Sequence, residues 1–144
     1  MAAEDNKALA RRILEEVWNK GNLAAIDELF APTYVDHDPA NPGVQGRDGV
    51  RQLVTMYRSA FPDLQFTVED QIAEGDLVVT RYTARGTHKG ELQGIPATGK
   101  QAAVPGIMIS RIVGGKDSED WVNYDALGLM QQLGVIPQMA QAGA

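Results

Sequence analysis

The spacing of apolar residues changes once along this chain, at Pro62. Before it the pattern is helical. Leu9, Ile13, Leu14, Val17 and Trp18 recur at helical intervals with Arg11, Arg12, Glu15 and Glu16 between them, which predicts an amphipathic first helix. Asn19-Lys20-Gly21 stops it, since glycine accepts the left-handed conformation that closes a helix. Asn22 is placed to cap a short second helix carrying Ile26, Leu29 and Phe30, and Pro32 ends that helix. Residues 33–46, with Pro39, Pro42 and Gly43, predict a loop. A third helix is predicted over 47–61, with Val50, Leu53, Val54, Tyr57 and Phe61 on its apolar face and Pro62-Asp63 as its breaker.

After Pro62 the period is two. Leu64, Phe66 and Val68 alternate with Gln65, Thr67 and Glu69, the signature of a half-buried strand. Glu74-Gly75-Asp76 predicts a hairpin turn. The next strand, 77–86, sets Val79, Arg81, Thr83 and Arg85 on one face and Val78, Thr80, Tyr82 and Ala84 on the other. A connection rich in Gly and Pro covers 87–99, and a third strand is predicted over 101–113. Gly114-Gly115 marks a second hairpin, leading to a fourth strand at 118–124. A short helix at 125–133 ends at Gly134, and the tail after Pro137 is expected to fray.

Helices first and consecutive antiparallel strands afterwards make the fold class α+β. Helices closing one side of a strongly curved sheet leave a cone-shaped cavity. No internal repeat or linker divides the chain, so 1–144 reads as one domain with a core of about 8–135. In the third strand Gly106 and Met108 face opposite to Ile107 and Ile109, so both faces are apolar and both are expected to be covered. Helices can cover one. The convex face then requires a partner, most simply a second copy of the chain.

Composition narrows the function classes. The chain has 144 residues, a formal net charge of -6 and no cluster of Lys or Arg longer than Arg11-Arg12, which argues against a nucleic-acid partner. Cysteine is absent, which excludes thiolate nucleophiles, Cys-ligated metals and disulfides. No apolar run approaches the roughly 20 residues of a membrane span, and 1–12 is polar, so a cytoplasmic location is expected. No glycine fingerprint for a nucleotide is present, and no cofactor is expected. Only two histidines exist, His37 and His88; a metal site would have to join them from distant segments, and none is expected.

A set of motifs carries a resemblance. Tyr34-Val35-Asp36-His37-Asp38-Pro39, Ala60-Phe61-Pro62-Asp63, Gly75-Asp76, Gly86-Thr87-His88-Lys89-Gly90, Gly94-Ile95-Pro96-Ala97-Thr98-Gly99-Lys100 and Gly128-Leu129-Met130-Gln131-Gln132-Leu133-Gly134 resemble, in number, order and spacing, the SnoaL-like polyketide cyclase family. The resemblance covers roughly 8–135 and implies the nuclear transport factor 2-like or ketosteroid isomerase-like fold. It also implies a cofactor-free aldol ring closure, in which a strand carboxylate removes a proton and neighbouring polar groups attend the oxygen atoms. The positions that would match the cyclases' polar pair fall here on Gly106 and Met108, their aspartate position falls on Val122, and their loop amide matches Asp36. The resemblance therefore carries the fold further than it carries the catalytic set.

Candidate chemistry centres on carboxylates. Asp36-His37-Asp38 is the densest polar cluster; it reads either as an acid/base unit or as turn chemistry ahead of Pro39. Asp120 shares a strand face with Val122 and Tyr124, where apolar surroundings would raise its pKa, unless it sits at the wet rim. Arg81 is either a ligand for a carboxylate or enolate, or half of an ion pair. Trp18, Tyr34, Phe61, Met108, Val122 and Tyr124 are the expected walls around a small apolar or aromatic ligand, while Trp121 is expected to pack the sheet and His88 to sit exposed. Three readings result: a cyclase- or isomerase-type enzyme acting on an apolar carbonyl compound, a non-catalytic binding protein on the same fold, and epoxide hydrolysis, which needs an Asp-Arg-Asp group.

Overall fold

The computed structural model describes residues 2–137, so the tail expected to fray lies outside the described residues. Helix α1 (Ala3–Arg12) continues without a break into a π-helical stretch, Ile13–Asn19, and a 3-10 turn, Leu23–Ala25, leads into α2 (Ile26–Leu29). Strand β1 (Phe30–Asp36) and helix α3 (Gly46–Ala60) follow, then β2 (Gln65–Glu74), β3 (Leu77–Thr87), β4 (Gln101–Val113), β5 (Lys116–Tyr124) and helix α4 (Ala126–Gln132). The two hairpins turn on Gly75-Asp76 and on Gly114-Gly115, whose φ angles of 60° and 75° are those a two-residue turn between twisted strands requires.

The five strands form one sheet in the order β1-β5-β4-β3-β2, antiparallel throughout except that β1 runs parallel to β5 at one edge. This edge corrects the sequence reading. Phe30, expected in the second helix, opens a strand, and residues 33–36, expected in a loop, continue it. Pro32 breaks the alternation and lacks an N–H to donate, a combination that an edge strand tolerates. Phe30, Tyr34 and Asp36 point inward from it.

Two bulges bend the sheet. In β2 the register steps between Val68 and Asp70, which turns Ile72 outward, where it is 69% exposed. In β5 it steps opposite Arg111 and Ile112, which pair with Glu119 and Asp117 and leave Ser118 over. The concave face of β4 is the unbroken series Ala102, Val104, Gly106, Met108, Ser110 and Ile112, all buried. One core cluster packs Ile13, Val17, Ile26, Leu29, Phe30, Tyr34, Val50 and Val54; a second joins Phe61, Leu64, Leu92, Val104, Leu129 and Leu133 under α4. Asp125 caps α4 by accepting the Gly128 N–H at 2.8 Å.

Two further expectations change. His88 is fully buried, stacked on Phe61 with centroids 5.4 Å apart, and its Nδ1 accepts the Thr98 N–H at 3.2 Å. The convex face is less apolar than the third strand alone suggested: Ile107 stands half exposed, but Arg81–Asp70 and Arg111–Glu119 ion pairs flank its strand.

Gly106 shows how tightly the concave face is fitted. It lies opposite Tyr82 of β3, and a Cβ there would come within 2.4 Å of the Tyr82 phenol. Gly106→Ala is expected to destabilise the fold by about 1–3 kcal/mol in chemical denaturation, the usual penalty for overpacking. A cost near zero would mean that the Tyr82 ring is free to swing.

Candidate active site

Between the helices and the concave face lies a cavity of about 130 Å³, walled by the side chains of Leu14, Trp18, Tyr82, Met108, Val122 and others. Phe66 packs between Trp18 and Tyr82 at centroid distances of 5.4 and 5.0 Å, which fixes the aromatic side of the wall. Most of the residues singled out in the sequence meet here: Asp36, Asp38 and Asp120, with Trp18, Tyr34, Phe61, Met108, Val122 and Tyr124, all line it.

His37 and Arg81 do not. The Asp36-His37-Asp38 segment alternates as a strand does, because the His37 N–H still donates to the Asp120 carbonyl at 2.8 Å. Asp36 and Asp38 therefore point in and His37 points out. Its ring stacks on Trp121 at 5.1 Å, and its Nε2 lies 2.7 Å from Glu119 Oε2. Arg81 is on the solvent face of β3, paired with Asp70 at 2.7 Å, while Val78, Thr80 and Tyr82 form the buried face. Arg81 therefore does not serve the Asp-Arg-Asp group of the epoxide reading; the arginine among the residues lining the cavity is Arg85.

Each inward carboxyl has a distinct setting. Asp36 Oδ1 accepts the Asp38 N–H at 2.9 Å. Burial, reinforced by the charges of Asp120 and Asp38, nevertheless pushes its pKa up to about 7. Asp38 combines both sequence readings: it faces the cavity, and it forms a turn by accepting the Ala40 N–H at 2.9 Å. Asp120 is 4% exposed, a wall residue and not a rim one, and its Oδ2 accepts the Tyr34 hydroxyl at 2.7 Å. Burial raises the pKa of Asp120, against the opposing pull of the neighbouring Asp117, Tyr34 and Ser110 side chains.

Phenols face these acids. Asn41 Nδ2 donates to Asp38 Oδ2 and to Tyr57 Oη, both at 3.0 Å, and Tyr57 Oη lies 3.2 Å from Tyr124 Oη. Two hydroxyls share one hydrogen bond, so one hydroxyl hydrogen of the pair is left for a ligand. Tyr82, 6% exposed, makes no hydrogen bond to the described residues through its hydroxyl and offers a second donor. Burial raises the pKa of Tyr82 and of Tyr124, so both keep their protons.

Tyr82, Tyr57 and Asn41 were not singled out as site residues. The parity that placed Tyr82 opposite Arg81 was legible; which of those two faces looks inward was not. Asp117 was missed altogether, because it lay outside the predicted fourth strand and on the wrong parity. Among the described residues no group of three or more His, Asp or Glu side chains is placed to hold a metal ion.

The three positions matching the cyclases' polar set are apolar in place as well as in sequence: Met108 stands directly across from Val122, and Gly106 lies beneath Tyr82. The fold nevertheless has close counterparts. The sequence model of the SnoaL-like polyketide cyclases matches residues 8–133. This chain belongs to that family. It is 33% identical over 131 residues to the aklanonic acid methyl ester cyclase DnrD of Streptomyces peucetius, covering 88% of each protein. Among solved structures, TsrD from Streptomyces laurentii is 33% identical, with a TM-score of 0.85 over 94% of this chain and 99% of that one. A putative polyketide cyclase from Acidithiobacillus ferrooxidans is 34% identical, with a TM-score of 0.83 and the same coverage. Within this family, the chain places its inward carboxyls on β1, on the turn after it and two residues before Val122 on β5.

Proposed function

We propose that the chain performs cofactor-free acid/base chemistry on a small apolar carbonyl compound, removing a proton α to the carbonyl ahead of aldol ring closure or isomerisation. The observation that carries this is the Asp36 carboxyl, buried in the wall of a cavity that the Tyr57, Tyr82 and Tyr124 side chains also line. Its Oδ2 takes no hydrogen bond from the described residues and is the acceptor for the carbon's proton. A base whose pKa lies near the working pH is suited to that task. The Tyr82 hydroxyl and the spare hydrogen of the Tyr57–Tyr124 pair meet the charge that grows on the enolate oxygen. The name of DnrD, a methyl ester cyclase, is in keeping with a carbonyl substrate.

The test is exchange of α-protons in D2O with a panel of aryl 1,3-diketones and aryl β-keto esters. Exchange above the buffer rate that disappears in Asp36→Asn supports the reading. Probes that bind without exchanging favour the second reading, a binding protein, which the apolar Gly106, Met108 and Val122 positions recommend.

We further propose a homodimer through the convex face, with Ile107 and Ile109 at its centre. Light scattering at micromolar concentration should give a dimer and Ile107→Asp a monomer; a wild-type monomer ends this idea.

A further inference from the structure

Asp117 belongs to none of the groups described so far, yet it is 1% exposed, among the most deeply buried side chains of the molecule. It lies three positions before Asp120, an offset that on an unbroken strand would place the two on opposite faces. The β5 bulge removes that difference by leaving Ser118 over, and both carboxyls turn inward.

No cation compensates them: the ion pairs among the described residues include neither. The groups around them are acidic or neutral on every side. Strand β1 brings Tyr34 and Asp36, the latter in register with Asp120; β5 itself brings Glu119; β4 brings Ser110. His37 and Arg111 are on the outer face with Glu119. Two ionised carboxylates side by side in such a place repel strongly.

The hydrogen-bond count resolves the conflict. As two carboxylates, Asp117 and Asp120 each leave Oδ1 buried with no donor. One proton placed between these two oxygens would satisfy both. Asp120 is the acceptor, because the Tyr34 hydroxyl already donates to its Oδ2 and the buried Ser110 hydroxyl faces the same carboxyl. Asp117 is left as the donor.

We infer that Asp117 is a positioning residue for the active site: it holds one proton shared with Asp120, so that the pair carries a single negative charge beneath the cavity and keeps Asp120 ionised next to Asp36. It rests on the acid/base reading above. Asp120 touches the cavity and Asp117 does not. The charge kept on Asp120 is one of the causes that hold the proton on Asp36. The pair thus sets the pH at which Asp36 becomes a base.

Two substitutions separate this role from simple packing. Asp117→Asn keeps an N–H donor toward Asp120 and leaves the charge beneath the cavity unchanged. Asp117→Leu removes the donor; Asp120 then takes up a proton itself, its charge disappears, and Asp36 ionises more readily. With carboxyl-13C-labelled aspartate, the wild type should contain at pH 7.5 an aspartic acid in its protonated form that is missing from Asp117→Asn. In α-proton exchange, the rising limb of the pH profile should stay in place for Asp117→Asn. For Asp117→Leu it should move to lower pH by on the order of one pH unit. If Asp117 and Asp120 both titrate at ordinary carboxylate pH, the inference is overturned. It is equally overturned if the limb of Asp117→Leu stays with the wild type. The labelling experiment needs no substrate, so an absence of exchange alongside a protonated Asp117 would remove the catalytic reading of the cavity and leave the shared proton in place.

Discussion

Asp36→Asn is expected to lower enzyme-dependent α-proton exchange by about 10² or more, the usual worth of a positioned acid or base, and to abolish its pH dependence near neutrality. In the wild type the rate should rise with pH through about 7, where Asp36 loses its proton, and then level off. The direction follows from which form is active: only the carboxylate can take a proton from carbon. Asparagine has the same shape and can still accept the Asp38 N–H through its amide oxygen, so the turn at 36–38 survives the change. Asp36→Glu should keep a rising limb at a lower rate, since it retains the base and misplaces it. Tyr82→Phe should lower the plateau without moving the limb, because it removes a donor to the enolate oxygen and leaves the base in place. A wild-type profile that is flat from pH 5 to 9, or an Asp36→Asn variant with full activity, would place the base elsewhere in the cavity.

The residues that the sequence placed correctly are those governed by period alone. Alternation at Leu64, Phe66 and Val68 and the paired glycines at 114 and 115 are local signals, and the strands and hairpins follow them. What escaped is set by partners distant in sequence. Strand β1 is a strand because β5 offers it an edge, and Pro32 hides that from any local reading. Arg81 could be read either as a ligand group or as half of an ion pair, because a strand face has no label of inside or outside until the helices choose one; the structure gives the ion pair. His37 looked like half of a catalytic unit, but the same alternation that brings Asp36 and Asp38 inward turns it onto Trp121. Asp117 is the clearest case. A bulge is decided by which residues oppose one another across two strands, and one extra residue, Ser118, exchanges the two faces. Asp120 was legible because it lies beyond that point, on the same uninterrupted parity as Val122 and Tyr124.

The second large effect concerns stability. Asp36 keeps its proton to about 7 in the folded protein and to 3.8 when unfolded, so between those values the folded state binds more protons. Folding is then favoured by acid, and the stability that this group contributes is complete below about pH 4 and lost as pH rises through about 7. At about 1.4 kcal/mol for each pH unit between the two values, the loss is about 4 kcal/mol. Asp117 and Asp120, both raised by burial, act in the same direction. Glu28, Asp63 and Glu119, lowered by their partners, act in the opposite one, but they are exposed to solvent screening and their contribution falls away only in stronger acid. The wild type should therefore be most stable near pH 4 to 5 and markedly less so at pH 8. Asp36→Asn has no proton to lose. Its melting temperature should match the wild type near pH 4.5 and exceed it at pH 8 by on the order of 10 °C, given a few degrees per kcal/mol for a domain of this size. An active-site carboxyl that costs stability at the pH where it works is what a site held for function, and not for folding, would display. The opposite outcome, a wild type more stable at pH 8 than at pH 5 with Asp36→Asn less stable than it at pH 8, would mean that Asp36 is an ordinary ionised carboxylate, and the base would have to be sought at Asp38 or Asp120.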